Sequence, residues 1–148
     1  MVKFEKVKRI TEEIELPIRS TLNSAGYDFF AIEDDVIPAK TIKIIMTGIK
    51  CELMPDMMLV LANRSSNPSK KGLVLINGIG VVDADYYGNA NNDGEIGFAF
   101  YNMKDEDVNI KKGEKLGQGI IVNFIKTEND YISNPRNTRA GGFGSTGI

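Results

Sequence analysis

Apolar residues recur at every second position in short runs, and this pattern constrains the fold more than any other feature. Glycine, proline, asparagine and aspartate separate the runs, and β-branched residues are frequent within them. Alternation of this kind, bounded by turn residues, is typical of strands with one buried face. The clearest runs lie at 41–47, 57–62, 73–76, 95–101 and 115–125. We therefore predict an all-β fold, a barrel or a sandwich.

Helical signals are weak, and one end of the chain differs in composition. No long run has the period of 3.6 residues that marks an amphipathic helix, and one short helix is predicted near 68–71, with Ser65 or Ser66 as its cap. Residues 134–148 combine glycine, hydroxyl and arginine residues around Phe143. We predict a β-rich core domain at 1–133 and a flexible glycine-rich C-terminal arm at 134–148.

The chain has no histidine and a single cysteine, Cys51. The absence of histidine excludes a Ser-His-Asp triad, a Cys-His dyad and an ordinary zinc site. General-base chemistry near neutral pH then falls mainly to a carboxylate. Cys51 is interpreted as a packing residue, and a lone cysteine fits a reducing compartment.

The formal net charge is −2, with acidic and basic residues mixed along the chain. Proteins that bind nucleic acid normally show a basic stripe, which is missing here. No apolar segment is long enough to span a bilayer, and residues 1–9 lack the apolar region of a signal peptide. We expect a cytoplasmic protein that binds neither nucleic acid nor membrane.

Two segments carry groups suited to binding phosphate. The Arg64-Ser65-Ser66 sequence follows a predicted strand and precedes the predicted helix, where a guanidinium, hydroxyls and helix N–H groups would meet. Residues 141–147 are glycine-rich but lack the lysine of a P-loop. Their N–H groups and hydroxyls could wrap a phosphate chain. Taken alone, the Arg64-Ser65-Ser66 sequence is more often a polar turn, and a plain tail is the favoured interpretation of 141–147.

The carboxylates allow a functional and a structural interpretation. Asp83 and Asp85 would share one face of a strand, where they repel unless a cation or a water uses them. Alternatively, they are two solvated acids that enter a turn. Asp28 follows the turn residue Gly26 and could cap backbone donors or lie near magnesium. Gln118 lies between two glycines, which indicates either close approach of a ligand or a β-bulge.

Five segments occur in an order that decides between these alternatives. They are Ala-Gly-Tyr-Asp (25–28), Arg-Ser-Ser (64–66), Asn-Gly-Ile-Gly-Val-Val-Asp-Ala-Asp-Tyr (77–86), Gly-Glu-Lys-Leu-Gly-Gln (113–118) and Gly-Gly-Phe-Gly-Ser-Thr-Gly (141–147). In order and spacing they resemble the five motifs of the trimeric dUTP diphosphatases (dUTPases). The resemblance runs from about residue 24 to residue 147, nearly the whole chain.

The resemblance implies a fold and an activity. The fold is a dUTPase-like β-clip, a jelly-roll-like barrel, assembled as a homotrimer whose active sites are shared between subunits. In that assembly one subunit supplies a uracil-binding hairpin, a neighbour supplies phosphate contacts and the third lends its C-terminal arm. The activity is hydrolysis of dUTP to dUMP and pyrophosphate by attack of water on the α-phosphorus, with Mg²⁺ on the triphosphate. This activity limits uracil in DNA and supplies dUMP for dTMP synthesis.

The resemblance also implies residue roles. Asp83 corresponds to the base that activates the water, and Asp28 to a residue near the magnesium's water shell. Tyr86 corresponds to the residue that stacks under the deoxyribose, and Phe143 to the residue that covers uracil. Uracil contacts correspond to Asn77, Gly80, Val81, Val82 and Gly97. Phosphate contacts correspond to Arg64, Ser65, Ser66, Gln118, Arg139, Gly144, Ser145 and Thr146.

The sequence departs from the family pattern at three places. Thr138 stands where the fifth motif usually has arginine, so Arg136 or Arg139 would substitute for it. Glu114-Lys115 replaces the usual Asp-Arg of the fourth motif. A polar loop at 88–94 lengthens the third motif. We interpret that loop as a tolerated surface insertion that could touch a neighbouring subunit.

Two other functions are considered. A dCTP deaminase shares the fold and an Arg-Ser-Ser segment, but its chemistry needs a glutamate where this chain has Ala99, which cannot move a proton. It also needs an arginine shortly after that segment, where this chain has Ser69 and Lys70. A non-catalytic relative that senses nucleotides could retain every motif, although retention of Asp83 favours an enzyme.

Overall fold

The computed structural model of this chain describes residues 1–131 and 141–143. Within these ranges the chain forms eleven strands: β1 (Lys3–Lys6), β2 (Tyr27–Phe30), β3 (Asp35–Ile37), β4 (Ile42–Met46), β5 (Ile49–Glu52), β6 (Met57–Asn63), β7 (Leu73–Leu75), β8 (Gly80–Asp83), β9 (Gly97–Asn102), β10 (Val108–Ile110) and β11 (Lys115–Asn123). A five-residue helix spans Asn67–Lys71, and two 3-10 turns span Ala84–Tyr86 and Glu128–Tyr131. The all-β prediction and the short helix are confirmed. No helix in the described ranges is long and apolar enough to cross a membrane.

The strands form two main sheets and two ribbons, and every pairing is antiparallel. The larger sheet has the order β2-β11-β6-β8, and the smaller has the order β4-β9-β7. Strands β1 and β5 form one ribbon, and β3 and β10 form the other. Strand β8 is therefore an edge strand of the larger sheet within the described part of the chain. This position leaves one side of its backbone unpaired by any neighbouring strand.

A row of aromatic side chains joins the elements of the core. The ring of Phe29 in β2 lies 5.6 Å from Phe4 in β1 and 5.5 Å from Phe98 in β9, and Phe98 stacks on Phe100. Phe29, Phe98 and Phe100 are almost fully buried. Burial of each such side chain contributes roughly 1.5–3 kcal/mol. The row fixes the larger sheet against the smaller one, and so sets the separation of β8 from β9.

Cys51 lies in β5 within this core and is only 1% exposed. Burial, followed by the nearby charge of Glu52, raises the pKa of its thiol to about 12. A thiol that stays protonated at neutral pH is a poor nucleophile. The interpretation of Cys51 as a packing residue is confirmed.

Candidate active site

A pocket lies where β8 approaches the start of β9. The sequence-predicted residues that line it are Asn77, Gly80, Val81, Val82, Asp83, Tyr86, Gly97 and Phe143. Its volume is about 200 Å³, whereas a pocket that encloses a whole ligand typically has about 300–1,000 Å³. The pocket therefore suits one part of a larger ligand, such as a base with its sugar.

Strand β8 supplies the backbone of this pocket. It pairs with β6 from Gly80 opposite Leu61 to Asp83 opposite Met58. A Cβ atom on residue 80 would lie 3.0 Å from the Leu61 side chain, so glycine lets the strand approach β6 closely. Because β8 is an edge strand, its outer N–H and C=O groups face the pocket side rather than another strand. Such a row of donors and acceptors can pair with the edge of a base.

The turn before β8 differs from the hairpin that the resemblance implies. The Gly78 N–H donates to the Leu75 carbonyl over 3.0 Å and closes a tight turn at Asn77 and Gly78. The strands on either side then diverge, because β7 pairs with β9 and β8 pairs with β6. The segment is thus a turn between two sheets, and the expectation of a paired hairpin is wrong. Asn77 is exposed at this turn, at the mouth of the pocket.

Asp83 and Asp85 do not share a face of a strand. Asp83 is the last residue of β8, has an extended backbone and is half-buried at the pocket. The chain then enters the 3-10 turn Ala84–Tyr86, which carries Asp85 to an exposed position away from the pocket lining. The prediction that both acids point the same way is wrong because the strand ends at Asp83. Asp83 is the carboxylate that the structure brings to the pocket.

Tyr86 forms a wall of the pocket and is only 6% exposed. Its hydroxyl donates to the Glu95 carbonyl over 2.6 Å and accepts from the Asn92 side-chain amide over 2.7 Å. Gly142 lies against the ring, where an added Cβ would come within 2.6 Å of Cε2. Phe143 follows at the pocket with a left-handed backbone (φ 51°) and is largely exposed. The arm segment 141–143 thus reaches the pocket of its own chain.

The loop 88–94 is partly packed against the rest of the chain. Asn89 is 8% exposed and donates to the Tyr86 carbonyl. Asp93 accepts a hydrogen bond from the Lys8 backbone N–H and pairs with the buried Lys50. The loop is thus at the surface at Gly88, Ala90 and Asn91 but packed at Asn89 and Asp93, because composition alone does not show which side chains turn inward.

Gly97 and its neighbour Glu95 are held by packing and charge. Glu95 is 4% exposed, receives two hydrogen bonds from the Arg9 guanidinium and accepts the Gly48 N–H. The hydrogen bond to Glu95 raises the pKa of Arg9 further above its ordinary value. A Cβ on residue 97 would lie 2.7 Å from Met46 Sδ, so β4 requires glycine there. The Arg9–Glu95 pair fixes the start of β9 and the pocket wall.

A second group of predicted residues lies at the end of β6 and along β11, outside the pocket lining. We call Arg64, Ser65, Ser66, Asp28, Lys115 and Gln118 the Arg64 cluster. Arg64 donates to the Lys115 carbonyl over 3.4 Å, and Ser65 is exposed. Ser66 occupies the N-cap of the helix Asn67–Lys71, but its side chain makes no capping hydrogen bond. The prediction of Ser66 as the N-cap residue is confirmed, but its hydroxyl makes no hydrogen bond to the helix N–H groups.

Asp28 belongs to an ionic network in this cluster. Its carboxylate lies 2.7 Å from Lys115 Nζ and accepts a hydrogen bond from Ser20. Burial acts most strongly, to raise the pKa of Asp28, but the hydrogen bonds from Lys115 and Ser20 and the charges of Lys115 and Arg64 together lower it. The carboxylate therefore stays ionised at neutral pH. Nowhere in the described residues do three potential ligand side chains from acidic or cysteine residues form a metal-binding group.

The glycines around Gln118 serve packing. A Cβ on Gly117 would lie 2.3 Å from Phe98, and one on Gly119 would lie 2.8 Å from Leu59. The register between β11 and β2 also shifts between Lys115 and Gly117, as a bulge requires. The bulge accompanies Gly117, and packing against Phe98 and Leu59 explains the absence of side chains at both glycines. The Gln118 side chain instead occupies the space beside Gly26, where a Cβ would meet its Oε1 at 2.1 Å.

Several contributors to the site were not predicted from the sequence. Leu61, Ile96 and Gly142 line the pocket, and Lys115 pairs with Asp28. Leu61 is an ordinary strand position and Ile96 directly precedes β9, and neither carries a distinguishing signal. Four Asn or Asp residues within 88–94 were a usable signal, since such side chains bond readily to nearby backbone. Arg136, Arg139, Gly144, Ser145 and Thr146 lie outside the described residues.

Comparison with known proteins agrees with the fold. The dUTPase family model matches residues 12–147. A deoxyuridine 5′-triphosphate nucleotidohydrolase of Lactococcus lactis is 46% identical over 134 residues, which is 90% of this chain and 89% of that protein. One from Hydrogenobaculum is 35% identical, with 96% of each chain covered. The crystal structure of dUTPase from Streptococcus mutans superposes with a TM-score of 0.82 at 43% identity, covering 84% of this chain and 98% of the other. The predicted β-clip fold is confirmed, and this chain belongs to the dUTPase family.

Proposed function

We propose that this protein hydrolyses dUTP to dUMP and pyrophosphate. The observation that carries the proposal is the pocket in which the edge strand β8, Asp83 and Tyr86 meet the start of β9 and Phe143. Its relatives from Lactococcus and Hydrogenobaculum support the same activity. The cellular role is to limit uracil incorporation into DNA and to supply dUMP for dTMP synthesis, in the cytoplasm.

The base is selected by backbone groups. The edge of β8 and the Asn77 turn present fixed donors and acceptors, which match the edge of uracil. Cytosine reverses two of these groups and would bury donors or acceptors without partners, which is costly. A close fit of the pocket walls, which include Ile96 and Gly97, around C5 of the base would exclude the methyl group of thymine. Phe143 covers the ring from the arm.

The sugar and the phosphates are bound by different kinds of group. Tyr86 stacks under the deoxyribose and leaves no space for a 2′-hydroxyl. The triphosphate lies against Arg64, Ser65, Ser66 and Gln118, with Arg139, Gly144, Ser145 and Thr146 from the arm. Mg²⁺ would be carried by the triphosphate, where it would neutralise phosphate charge. Asp28, paired with Lys115, would lie near its water shell.

Asp83 orients a water molecule and accepts its proton as it attacks the α-phosphorus. The chain has no histidine, so a half-buried carboxylate at the pocket is the available base. Hydrolysis of a phosphoanhydride depends mainly on positioning and on neutralising charge. Closure of the arm excludes other water.

The first experiment measures pyrophosphate release with Mg²⁺ from dUTP, dCTP, dTTP and UTP. We expect rapid turnover of dUTP and at least about a hundredfold slower turnover of dCTP, whose buried polar groups would be left unpaired. Turnover of dTTP and UTP should also be slower, because the pocket excludes the methyl group and the 2′-hydroxyl by shape. Tight dUTP binding without turnover would replace the proposal with a nucleotide sensor. Equal turnover of all four would contradict the selectivity argument. Release of ammonia from dCTP would indicate a deaminase.

The active assembly is a homotrimer with shared sites, comprising the core domain 1–133 and the arm 134–148. Residues 142 and 143 line the pocket of their own chain, whereas shared sites would require the arm of a neighbouring subunit in that place. Co-expression of Asp83→Asn subunits with subunits truncated after residue 133 separates these cases. An exchanged arm predicts restored dUTP turnover, because intact Asp83 then meets an intact arm. No restoration in isolated mixed trimers would show that each arm serves its own chain.

A further inference from the structure

Asn92 does not line the pocket itself but contacts Tyr86, which forms one of its walls. Its Nδ2 donates to the Tyr86 hydroxyl over 2.7 Å, and that hydroxyl donates to the Glu95 carbonyl over 2.6 Å. The phenol oxygen thus accepts one hydrogen bond and donates another inside a buried environment. These two hydrogen bonds hold the hydroxyl end of the Tyr86 ring, and the backbone holds the other end, so the ring is restricted in its motion.

The orientation of the Asn92 amide is fixed by its other end. Its Oδ1 accepts hydrogen bonds from Asn89 Nδ2 over 2.8 Å and from the Gly94 N–H over 3.2 Å. A flipped amide would place a donor against these two donors, so Nδ2 must face Tyr86. Asn89 in turn donates to the Tyr86 carbonyl over 2.7 Å. One pair of asparagines therefore binds both the backbone and the hydroxyl of Tyr86.

The loop that carries Asn92 is itself anchored to the core. Asp93 accepts the Lys8 N–H over 2.9 Å and pairs with Lys50 Nζ over 3.0 Å, and the Lys50 side chain is only 9% exposed. Gly94 has a left-handed backbone (φ 85°), and a Cβ there would lie 2.7 Å from the Tyr86 carbonyl oxygen. The loop therefore returns tightly beneath Tyr86 and gives Asn92 a rigid base.

We propose that Asn92 is a positioning residue for sugar selectivity, which it enforces by holding the Tyr86 ring against the pocket. The inference rests on the proposed function, in which that ring excludes a 2′-hydroxyl. Steric exclusion of a single oxygen atom requires a wall held to within about 0.5 Å. Without the bond from Asn92, the ring can pivot about Cβ and admit a ribose.

A double-mutant cycle tests this role. Asn92→Ala, Tyr86→Phe and the double variant are compared with the unmodified protein for the ratio of affinities for dUMP and UMP, and for the ratio of kcat/KM on dUTP and UTP. We expect Asn92→Ala to lower each ratio about fivefold, as for loss of one buried hydrogen bond. In the Tyr86→Phe background the same change should have no further effect, because the hydroxyl through which Asn92 acts is gone.

The control is Asn109→Ala, at an exposed position of β10, which should leave both ratios unchanged. Unchanged ratios in Asn92→Ala would overturn the inference. An equal loss in both backgrounds would also overturn it, since Asn92 would then act through the loop and not through the hydroxyl. Failure of the unmodified protein to hydrolyse dUTP overturns the proposed function instead. In that case the dUMP and UMP affinities still decide the role of Asn92.

Discussion

The pocket and the Arg64 cluster use opposite means to hold a ligand. The pocket consists of edge-strand backbone, apolar side chains and a phenol with both hydrogen bonds filled. The Arg64 cluster consists of charged and hydroxyl side chains, in which Asp28 pairs with Lys115. The pocket recognises the shape of a ligand and its pattern of hydrogen-bond donors and acceptors. Its own groups are already fixed in place, so binding requires little rearrangement of them. The Arg64 cluster neutralises charge and depends on pH and salt. This division matches a nucleotide, whose base is planar and whose phosphates are anionic.

Asp83→Asn should have the largest effect, because Asp83 belongs to the pocket but acts on the phosphate. We expect kcat on dUTP to fall about a thousandfold, as for loss of a general base, with dUTP affinity within a few-fold of the unmodified protein. Asp85→Asn is the matched control, two residues further on and exposed, and should keep near-normal kcat. Steady-state kinetics and calorimetry measure both quantities. Lost binding in Asp83→Asn would assign this residue to recognition.

Arg64→Ala should weaken the use of dUTP through the Arg64 cluster without affecting binding in the pocket. We expect kcat/KM on dUTP to fall roughly 10–100-fold, since a hydrogen bond to a charged group is worth about 1.5–3 kcal/mol. Binding of deoxyuridine, which has no phosphate, should not change. Lys70→Ala removes an exposed positive charge from the helix that follows the cluster and serves as control. If deoxyuridine binding weakened as much as dUTP binding, the two regions would not be independent.

Gly142→Ala tests contact of the arm with the pocket. The added Cβ would meet the Tyr86 ring at 2.6 Å, and the bonds to that hydroxyl prevent the ring from yielding. Overpacking typically costs about 1–3 kcal/mol, so we expect KM for dUTP to rise about tenfold. Gly141→Ala meets the side chain of the exposed Asn91 instead, 2.9 Å from Nδ2 and 3.1 Å from Cβ, and does not touch Tyr86, so we expect a smaller rise in KM. An equal rise in KM for the two variants would contradict the proposed contact with Tyr86.

The Asp28–Lys115 pair should give the smallest effect, and one that depends on pH. The pKa of Asp28 is lowered in the folded protein, so the pair stabilises the fold above the ordinary aspartate pKa of about 3.9. That stability is lost as pH falls through the lower, folded pKa. Asp28→Asn should therefore cost about 1 kcal/mol at neutral pH and nothing in strong acid. Thermal unfolding across pH checks this, and a cost independent of pH would contradict it.

Much of the pocket could be predicted because its residues are close in sequence. Asn77 to Tyr86 form one turn, one strand and one 3-10 turn, so local pattern and motif order were sufficient. The end of β8 at Asp83 was missed, since a period of two cannot show where a strand stops. The pairing of β7 with β9 was missed because the choice of partner strand is made by the whole sheet.

The remaining features depend on contacts between distant parts of the chain. Phe98 fills the space beside Gly117, and Lys50 pairs with Asp93 across 43 residues of sequence. Neither partner can be identified from one sequence, so the glycines leave a ligand and a β-bulge equally open and the loop is interpreted as an insertion. Lys115 replaces the arginine that is usual in the fourth motif. Its pairing with Asp28 depends on the register of β11 on β2, which the sequence does not show.

Hydrolysis of dUTP in ¹⁸O-labelled water tests the central claim, that Asp83 directs water to the α-phosphorus, most directly. After a single turnover by the unmodified protein, we predict one labelled oxygen in dUMP and none in pyrophosphate. The same label in dUMP at a rate about a thousandfold lower is predicted for Asp83→Asn, as for loss of a general base. Label in the pyrophosphate, or unchanged labelling kinetics in Asp83→Asn, would contradict the account.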